Sequence, residues 1–332
     1  MRMSEPNETD LPPFDQRAYE RALQYVSFLR PWFEPTIEGV ENVPPEEGGL
    51  IVTNHGHFGL DLAMLLSLIL EGTGRPVRSL GDRVVFAAPF FRDWAHMMGA
   101  VEGEPETTVR LLRDDQLVLV YPGGAREALN DPEHAYRLQW ENSHGFIRTA
   151  LRAQKPIIPI AGLGNEELYV QVVSQDRVRE SGVGRLISKL LGDKYVFPVY
   201  MGLGPIPFPT ELHYIVGEPI HLQHGPEAAD DCELVAELHR DVTDTTQRLI
   251  DRGLEERRIA DADARTGTGA GTGTGADTGA GTGTGTGTDN CTRTCAAARA
   301  RRAKPGAKRR QGRAKRMPRQ GGLRVGVGGR CN

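Results

Sequence analysis

Short apolar runs alternate with longer amphipathic stretches through most of the chain. The short runs have the length of buried strands and lie at Gly49–Thr53, Val77–Leu80, Leu117–Tyr121, Pro156–Ile160 and Leu212–Val216, with Ala100–Val101 as a further, shorter candidate. The longer stretches have helical length and spacing and lie at Leu60–Glu71, Val84–Met98, Thr107–Asp114, Asn142–Gln154 and Glu227–Arg252. Because strands alternate with helices, the pattern predicts an α/β fold with a mostly parallel central sheet flanked by helices.

An N-terminal amphipathic helix is predicted over Phe14–Phe33. Its apolar side includes Tyr19 and Tyr25, and Pro31 should kink or end the helix. Two roles are open for the aromatic pair Trp32–Phe33. Aromatic rings beside a cation suit a membrane interface, but the same face would also pack against the domain, which is the commoner use of an amphipathic helix.

Composition sets the domain boundaries. Residues 1–13 are polar and acidic and predict a disordered N-terminus, residues 14–258 read as one globular domain, and residues 259–332 read as a linker and tail. Thr266–Thr288 is almost entirely Gly, Thr and Ala, which cannot bury a core and therefore predicts a flexible linker. Arg293–Arg330 is rich in Arg and Lys and predicts a basic, disordered tail.

The net charge of −4 conceals two oppositely charged parts. Residues 1–260 carry a formal charge of −15, whereas residues 261–332 carry +11. A basic segment attracts anions, so nucleic acid or acidic lipid is an expected partner of the tail alone.

Membrane contact is expected only at the surface. Residues 1–13 contain no apolar core of a signal peptide, and the longest apolar run, Leu60–Leu70, is about half of a membrane span. We therefore expect a cytoplasmic, peripherally membrane-associated protein without a transmembrane helix. A basic amphipathic stretch at Leu186–Leu191, with Arg185 and Lys189, would touch anionic headgroups, cover an acyl groove or simply pack against the domain.

The first candidate site lies between the first predicted strand and the helix that follows it. This junction carries His55, His57 and Asp61, with Asn54 directly before the first histidine. A histidine can take a proton near neutral pH, and a carboxylate can fix its tautomer and stabilise the imidazolium. His57 is the rival base, because its spacing to Asp61 would place both on one helix face. The alternative is a solvated polar loop.

A second candidate site follows the strand at Leu117–Tyr121, where Pro122–Ala128 reads P-G-G-A-R-E-A. Paired glycines at Gly123 and Gly124 would let the backbone approach a ligand closely, because no Cβ intervenes. Backbone N–H groups there could bind an anion, and Arg126 adds a fork of donors. Loops at the carboxyl ends of parallel strands are where such sheets place their sites. The alternative is a tight turn.

Four blocks occur in a fixed order along the chain. They are His55 with Asp61, Pro122–Ala128, Tyr136 with Trp140, and Pro156–Ile160. Between Val40 and Leu222 this set resembles the glycerolipid acyltransferase (PlsC-like) superfamily, and most closely the branch of type 2 diacylglycerol acyltransferases and phytyl ester synthases. The second and third blocks are the most specific part of the resemblance.

Two details depart from the common motifs of that superfamily. Asp61 stands one position farther from His55 than the common motif places it. Gly123 and Gly124 stand where phospholipid-making members have a Glu followed by Gly-Thr-Arg. The longer spacing resembles the phytyl ester synthase-like branch, and the Gly-Gly-x-Arg-Glu pattern resembles branches whose acceptors are often neutral.

The resemblance implies an O-acyltransferase that moves a fatty acyl group from acyl-CoA or acyl carrier protein to a glycerolipid or other lipid hydroxyl. It implies that His55 is the general base and that Asp61 is its partner. The residues implied to bind substrate are Gly123, Gly124, Arg126, Glu127 and Arg92. For Arg92 the alternative is a surface ion pair with Asp93.

No cofactor or metal is implied besides the thioester co-substrate, and the implied partners are a lipid acceptor, the acyl thioester and a membrane surface. Three other functions are open. One is an esterase that uses the same histidine and aspartate on water, and another is a non-catalytic protein that binds acyl lipids. The third is a nucleic-acid binder that acts through the basic tail.

Overall fold

A computed structural model describes residues 14–266, except 88, 130–131, 142, 192–197 and 204–205. The predicted disordered N-terminus and nearly all of the predicted linker and basic tail lie outside the described residues. The last helix continues to Thr266, eight residues past the predicted domain boundary at residue 258. Between residues 254 and 266 the sequence contains neither glycine nor proline, so no helix-breaking residue ends α11 before Gly267.

The strands lie where apolar runs predicted them, with three additions. Their bounds are β1 Thr36–Glu38, β2 Gly49–Thr53, β3 Val77–Gly81, β4 Val101–Glu102, β5 Leu117–Val120, β6 Ile157–Leu163, β7 Val170–Val173, β8 Val199–Met201 and β9 His213–Val216. Within the described residues, one sheet has the order β1-β9-β6-β2-β5-β3-β4, and β7 and β8 form a second sheet. The sequence pattern missed β1, β7 and β8.

Pairing in the larger sheet is parallel except between β6 and β9. The predicted α/β class with a mostly parallel central sheet is therefore confirmed. In the smaller sheet, β7 and β8 are antiparallel.

The helices surround the larger sheet. Their bounds are α1 Gln16–Val26, α2 Arg30–Phe33, α3 Leu62–Thr73, α4 Arg83–Ala87, α5 Pro89–Met97, α6 Pro105–Arg113, α7 Ala125–Ala128, α8 Gly145–Ala153, α9 Gln175–Glu180, α10 Gly182–Leu191 and α11 Cys232–Thr266. The helix predicted over Val84–Met98 is divided into α4 and α5, and Pro89 begins the second one because it lacks the N–H of a helix interior. Asp231 Oδ1 accepts from two backbone N–H groups at the start of α11.

The core has an apolar layer on each face of the larger sheet. Ile51 of β2 belongs to the layer under α1 and α3, whereas Leu50 and Val52 belong to the layer under α6 and α8. β2 is buried along its whole length, as expected for a central parallel strand. Its carboxyl end, which leads to His55, is consequently held on both sides.

The N-terminal helix packs against the domain through part of its apolar side. Tyr19 and Phe33 are buried, but Tyr25 is 78% and Phe28 75% exposed. The Trp32 indole N–H donates to the Pro207 carbonyl at 3.1 Å. The packing role predicted for the Trp32–Phe33 pair therefore agrees with the structure. No described helix combines the length and the apolarity that crossing a bilayer requires.

Candidate active site

The loop after β2 is fixed to the end of the neighbouring strand β6. The Asn54 side-chain amide donates to the Gly162 carbonyl at 2.9 Å, and its carbonyl oxygen accepts from the Gly162 N–H at 2.7 Å. Asn54 is only 3% exposed, so water competes little for these bonds. The two bonds determine where the chain leaves the sheet and so where His55 stands.

The His55 ring has a defined tautomer. Its Nδ1 lies 2.6 Å from the Gly56 carbonyl oxygen, which can only accept, so Nδ1 carries the proton. Nε2 then presents a lone pair. The ring packs on Tyr121 with centroids 4.2 Å apart. Burial lowers the pKa of His55 to about 4. The imidazole is therefore neutral at physiological pH and can accept a proton at Nε2.

His57 has a different environment. It is 6% exposed, its ring packs on Tyr200 with centroids 4.5 Å apart, and its Nδ1 lies 3.4 Å from the Ala128 carbonyl oxygen. Burial lowers the pKa of His57, and the carbonyls of Ala128 and Glu166 partly oppose that effect. Because its ring forms hydrogen bonds with the backbone carbonyls of both Ala128 and Glu166, His57 is less suited than His55 to act as a base.

Asp61 lies at the start of α3 with its carboxyl group buried. The residue is 2% exposed, and its Oδ1 has no hydrogen-bond partner among the described residues. Burial raises the pKa of Asp61 to about 6, and a hydrogen bond from its own backbone partly opposes that rise. The Tyr214 hydroxyl donates to the Asp61 backbone carbonyl at 2.9 Å and holds the residue in place.

The structure does not give Asp61 the direct contact expected of an orienting partner. Nδ1 of His55 turns to the Gly56 carbonyl of its own loop instead. Asp61 Oδ1 lies beside Gly56, where an added Cβ would be 2.8 Å from it. The carboxyl group thus borders the loop that holds His55, and its catalytic role stays a prediction.

Glu127 joins the two candidate loops. It is 2% exposed, its Oε2 accepts from the His55 backbone N–H at 3.1 Å, and its Oε1 accepts from the Gln139 N–H at 2.9 Å. Burial raises the pKa of Glu127 to about 7. Both oxygens already serve the backbone, so in this structure the side chain positions His55, and its predicted contact with substrate stays a prediction.

The paired glycines differ from each other. An added Cβ on Gly123 would meet the Glu127 carboxyl group, so this glycine makes room for a buried side chain. Gly124 has φ 53° and ψ −136°, a conformation that favours glycine, and no atom lies within 4 Å of its would-be Cβ. Only Gly124 therefore has the open approach that the sequence suggested for both.

The two predicted arginines lie on the surface. Arg126 is exposed on α7, next to the buried Glu127. Arg92 is exposed on α5 and forms an ion pair with Asp93 at 3.4 Å, which is the surface alternative foreseen for it. Contacts of either arginine with substrate stay predictions.

Sequence reasoning missed two buried polar groups beside the site. The Tyr121 hydroxyl and the Asn165 side-chain amide have no hydrogen-bond partner within the described part of the chain. Burial, with Asp61 and Glu127 nearby, holds the pKa of Tyr121 well above its usual value. Both residues follow strands of the larger sheet, so their position at its carboxyl edge was the available signal.

In the predicted block of Tyr136 and Trp140, the tyrosine bonds to the loop that follows β6 and the tryptophan is buried. The Tyr136 hydroxyl accepts from the Gly164 N–H at 2.8 Å, and the Tyr136 backbone N–H donates to a Glu166 carboxylate oxygen at 2.9 Å. Trp140 is fully buried and lines a cavity of about 310 Å³ together with His144 and His239.

Among the described residues, no group of three acidic, histidine or cysteine side chains is placed to hold a metal ion.

Comparison with known proteins shows which proteins this chain is similar to. A family model described as diacylglycerol acyltransferase matches residues 48–262. An uncharacterized protein of Mycobacterium tuberculosis is 30% identical over 70% of this chain and 64% of its own length. A mouse (Mus musculus) protein named as a DGAT1/2-independent enzyme synthesizing storage lipids is 31% identical over 67% of this chain and 61% of its own length.

The chain thus spans less than two thirds of the length of these curated relatives. Among solved structures, a 1-acyl-sn-glycerophosphate acyltransferase, PlsC, from Thermotoga maritima aligns with a TM-score of 0.45 and 13% identity. The alignment covers 71% of this chain and 78% of that one.

Proposed function

Because this chain belongs to the diacylglycerol acyltransferase family, we propose that it is an O-acyltransferase acting on lipid hydroxyls. The resemblance inferred from the sequence is confirmed at the level of the family. The proposed donor is a fatty acyl thioester, acyl-CoA or acyl carrier protein, and the proposed acceptor is a glycerolipid or another lipid alcohol.

The tautomer of His55 is the observation that carries this proposal. Nδ1 donates to the Gly56 carbonyl, so Nε2 is left as an acceptor on a ring that burial keeps neutral. In the proposed step, Nε2 takes the proton of the acceptor hydroxyl while that oxygen attacks the thioester carbonyl carbon. A C–O bond forms, and the carbonyl electrons move onto oxygen. The C–S bond then breaks, and the imidazolium returns its proton to the departing thiolate.

Other residues are proposed to stabilise charge during this step. The tetrahedral oxyanion needs N–H donors, and the backbone around Gly124 is the candidate because its approach is open. Above a pH of about 6 the carboxyl group of Asp61 is mainly ionised and offsets the positive charge of the imidazolium. The exposed guanidinium of Arg126 would bind a phosphate of the donor or acceptor.

Lipid substrates are presented at membranes, so we also propose that the protein works while bound peripherally to a membrane surface. The exposed Tyr25 and Phe28 near the N-terminus are available for such contact.

The proposed function is tested by acyl transfer with purified protein and labelled long-chain acyl-CoA. Lysophosphatidic acid, diacylglycerol and a fatty alcohol are offered separately. We expect one acceptor class to be esterified and His55→Ala to lower kcat by roughly 10²–10⁴-fold. His57→Ala is the matched control and should keep most of the activity. Release of free fatty acid without ester formation would instead indicate an esterase.

Binding of acyl lipid without turnover by the wild type would overturn the catalytic proposal and leave a lipid-binding protein. Equal losses in His55→Ala and His57→Ala would contradict the assignment of the base. Thermal unfolding of both variants separates lost chemistry from a lost fold.

A further inference from the structure

The smaller sheet presents its apolar side chains outward. Val170 pairs with Met201, and the four apolar residues Val170, Val172, Val199 and Met201 are 56%, 45%, 45% and 53% exposed. We call these four residues the outer face. Gln171, Val173 and Tyr200, which alternate with them, are less exposed. Two strands that leave four of their five Val and Met side chains exposed reverse the usual pattern of a sheet on a core.

The apolar surface continues beyond β8. Leu203 and Ile206 are 51% and 54% exposed, and the Leu203 N–H donates to the Ile206 carbonyl at 2.8 Å. Isolated apolar side chains on a surface are ordinary, but six exposed ones on two paired strands and at Leu203 and Ile206 indicate an interaction surface.

The inner side of the smaller sheet faces the candidate active site. Its Tyr200 packs against the His57 ring with centroids 4.5 Å apart. His57 is two residues from His55 on the same loop. Whatever binds the outer face is therefore separated from the catalytic loop by the thickness of one strand pair.

Cationic side chains lie in the segment of chain that joins the two strands of the outer face. The connection from β7 to β8 contains α9 and α10, which pack on each other. Their exposed basic residues are Arg177, Arg179, Arg185 and Lys189 against the exposed Asp176 and Glu180, a net charge of 4 − 2 = +2, and Arg179 is paired with Asp176 at 3.5 Å. Leu186 on α10 is 57% exposed. Apolar side chains next to Arg and Lys match the boundary between acyl chains and anionic headgroups.

We propose that the outer face is the surface through which this protein binds a lipid bilayer that contains anionic lipid. The apolar side chains enter the boundary between headgroups and acyl chains, and the basic residues of α9 and α10 contact the headgroups. The inference deepens the proposed function, because it sets the site with His55 next to the membrane that holds the lipid acceptor.

The charge pattern separates this partner from a protein surface. A bilayer needs no shape complementarity and accepts a flat face of valine and methionine, provided that cations lie beside it. The exposed aromatics of the N-terminal segment, Tyr25 and Phe28, are the rival contact. The experiment therefore includes both surfaces.

The experiment measures flotation of the full chain with phosphatidylcholine vesicles, with and without phosphatidylglycerol. The test variant is Val172→Asp with Met201→Asp, and the matched control is Ile259→Asp, an equally exposed apolar position on α11. We expect the double variant to weaken partitioning by roughly tenfold or more, since two apolar anchors are lost, and the control to bind like the wild type. Arg177→Gln with Lys189→Gln should remove most of the preference for phosphatidylglycerol.

Three outcomes would overturn the inference. They are unchanged binding by the double variant, loss of binding only in Tyr25→Asp with Phe28→Asp, and a wild-type dimer in solution that the double variant dissociates. If the double variant unfolds at a lower temperature than the wild type, Val172→Ser with Met201→Ser replaces it. Flotation requires no turnover. Vesicle binding that depends on the outer face, without acyl transfer to any acceptor, would retain this inference and remove the proposed function.

Discussion

The two sheets of this protein use apolar residues in opposite ways. In the larger sheet Ile51 and Val52 point to opposite faces and both are buried, while polar groups collect at the carboxyl edge. In the smaller sheet Val170 and Val172 face outward, and Tyr200 turns toward the site. The apolar content of a strand therefore does not by itself show that the strand belongs to the core. The larger sheet stabilises the fold, whereas the smaller sheet presents a surface.

The largest effect expected from this contrast comes from placing the same charge in each sheet. Val52→Asp buries a carboxylate within the apolar layer under α6 and α8, and we expect it to cost more than about 4 kcal/mol of unfolding free energy. Val172→Asp leaves its charge in water and should change the unfolding free energy by less than about 0.5 kcal/mol. Urea unfolding followed by circular dichroism measures both values. A comparable loss from both variants would show that the smaller sheet is part of the core.

Buried polar groups at the edge of the larger sheet provide the next test. Glu127→Ala leaves the N–H groups of His55 and Gln139 without their acceptor, and we expect a loss of about 2–4 kcal/mol, including the cavity. Arg126→Ala, at the exposed neighbouring position, should cost less than about 0.5 kcal/mol. Chemical unfolding of both variants at one pH checks the difference. Equal effects would contradict the assignment of Glu127 as the residue that positions the loop.

The pH dependence of stability tests the Glu127 carboxyl group separately. The folded-state pKa of Glu127, about 7, lies above the ordinary value of 4.5, so folding favours the protonated form. The stabilisation is complete below about pH 4.5 and is lost as the pH rises through 7. His55, with its lowered pKa, acts in the opposite sense, because its effect destabilises the fold as the pH falls from 6.5 to 4.

Glu127→Gln separates the two contributions, because His55 is present in both proteins. We expect the stability advantage of the wild type over Glu127→Gln to shrink by on the order of 2–3 kcal/mol between pH 5 and pH 8, since one pKa unit corresponds to about 1.4 kcal/mol. Unfolding free energies measured across that range check the result. An advantage that grows with pH would show that Glu127 is ionised in the folded protein at low pH.

The strands that could be predicted are those whose consecutive residues are enough to identify them. β2, β5 and β6 were found because each is a continuous apolar run, as expected for a strand buried on both faces. β7 and β8 were missed because their short runs are separated by two helices, and only pairing across that distance makes them strands. Apolar length identifies a central strand but not an exposed one.

Prediction of the site was limited in the same way, because the sequence shows patterns of neighbouring residues but not contacts between distant ones. His55 and its loop were recognisable because a polar turn interrupts two apolar runs. The partner of Nδ1, the carbonyl of Gly56, was not predictable, because it depends on the rotation of the ring. Glu127 was predicted to bind substrate, whereas its oxygens accept from N–H groups of two distant segments. No local pattern records such a contact.

The smallest expected effect concerns the paired glycines at the edge of the larger sheet. Gly123→Ala would press a methyl group against the Glu127 carboxyl group and should cost about 1–3 kcal/mol. Gly124→Ala meets no atom and has only its backbone strain to overcome, about 1 kcal/mol. If Gly124 supplies backbone donors to the reacting oxyanion, the alanine variant should lower kcat more than it raises KM, because the donors act on the transition state. Unfolding and transfer kinetics measured on both variants separate the two roles, since a purely structural turn would lose stability without that change in kcat.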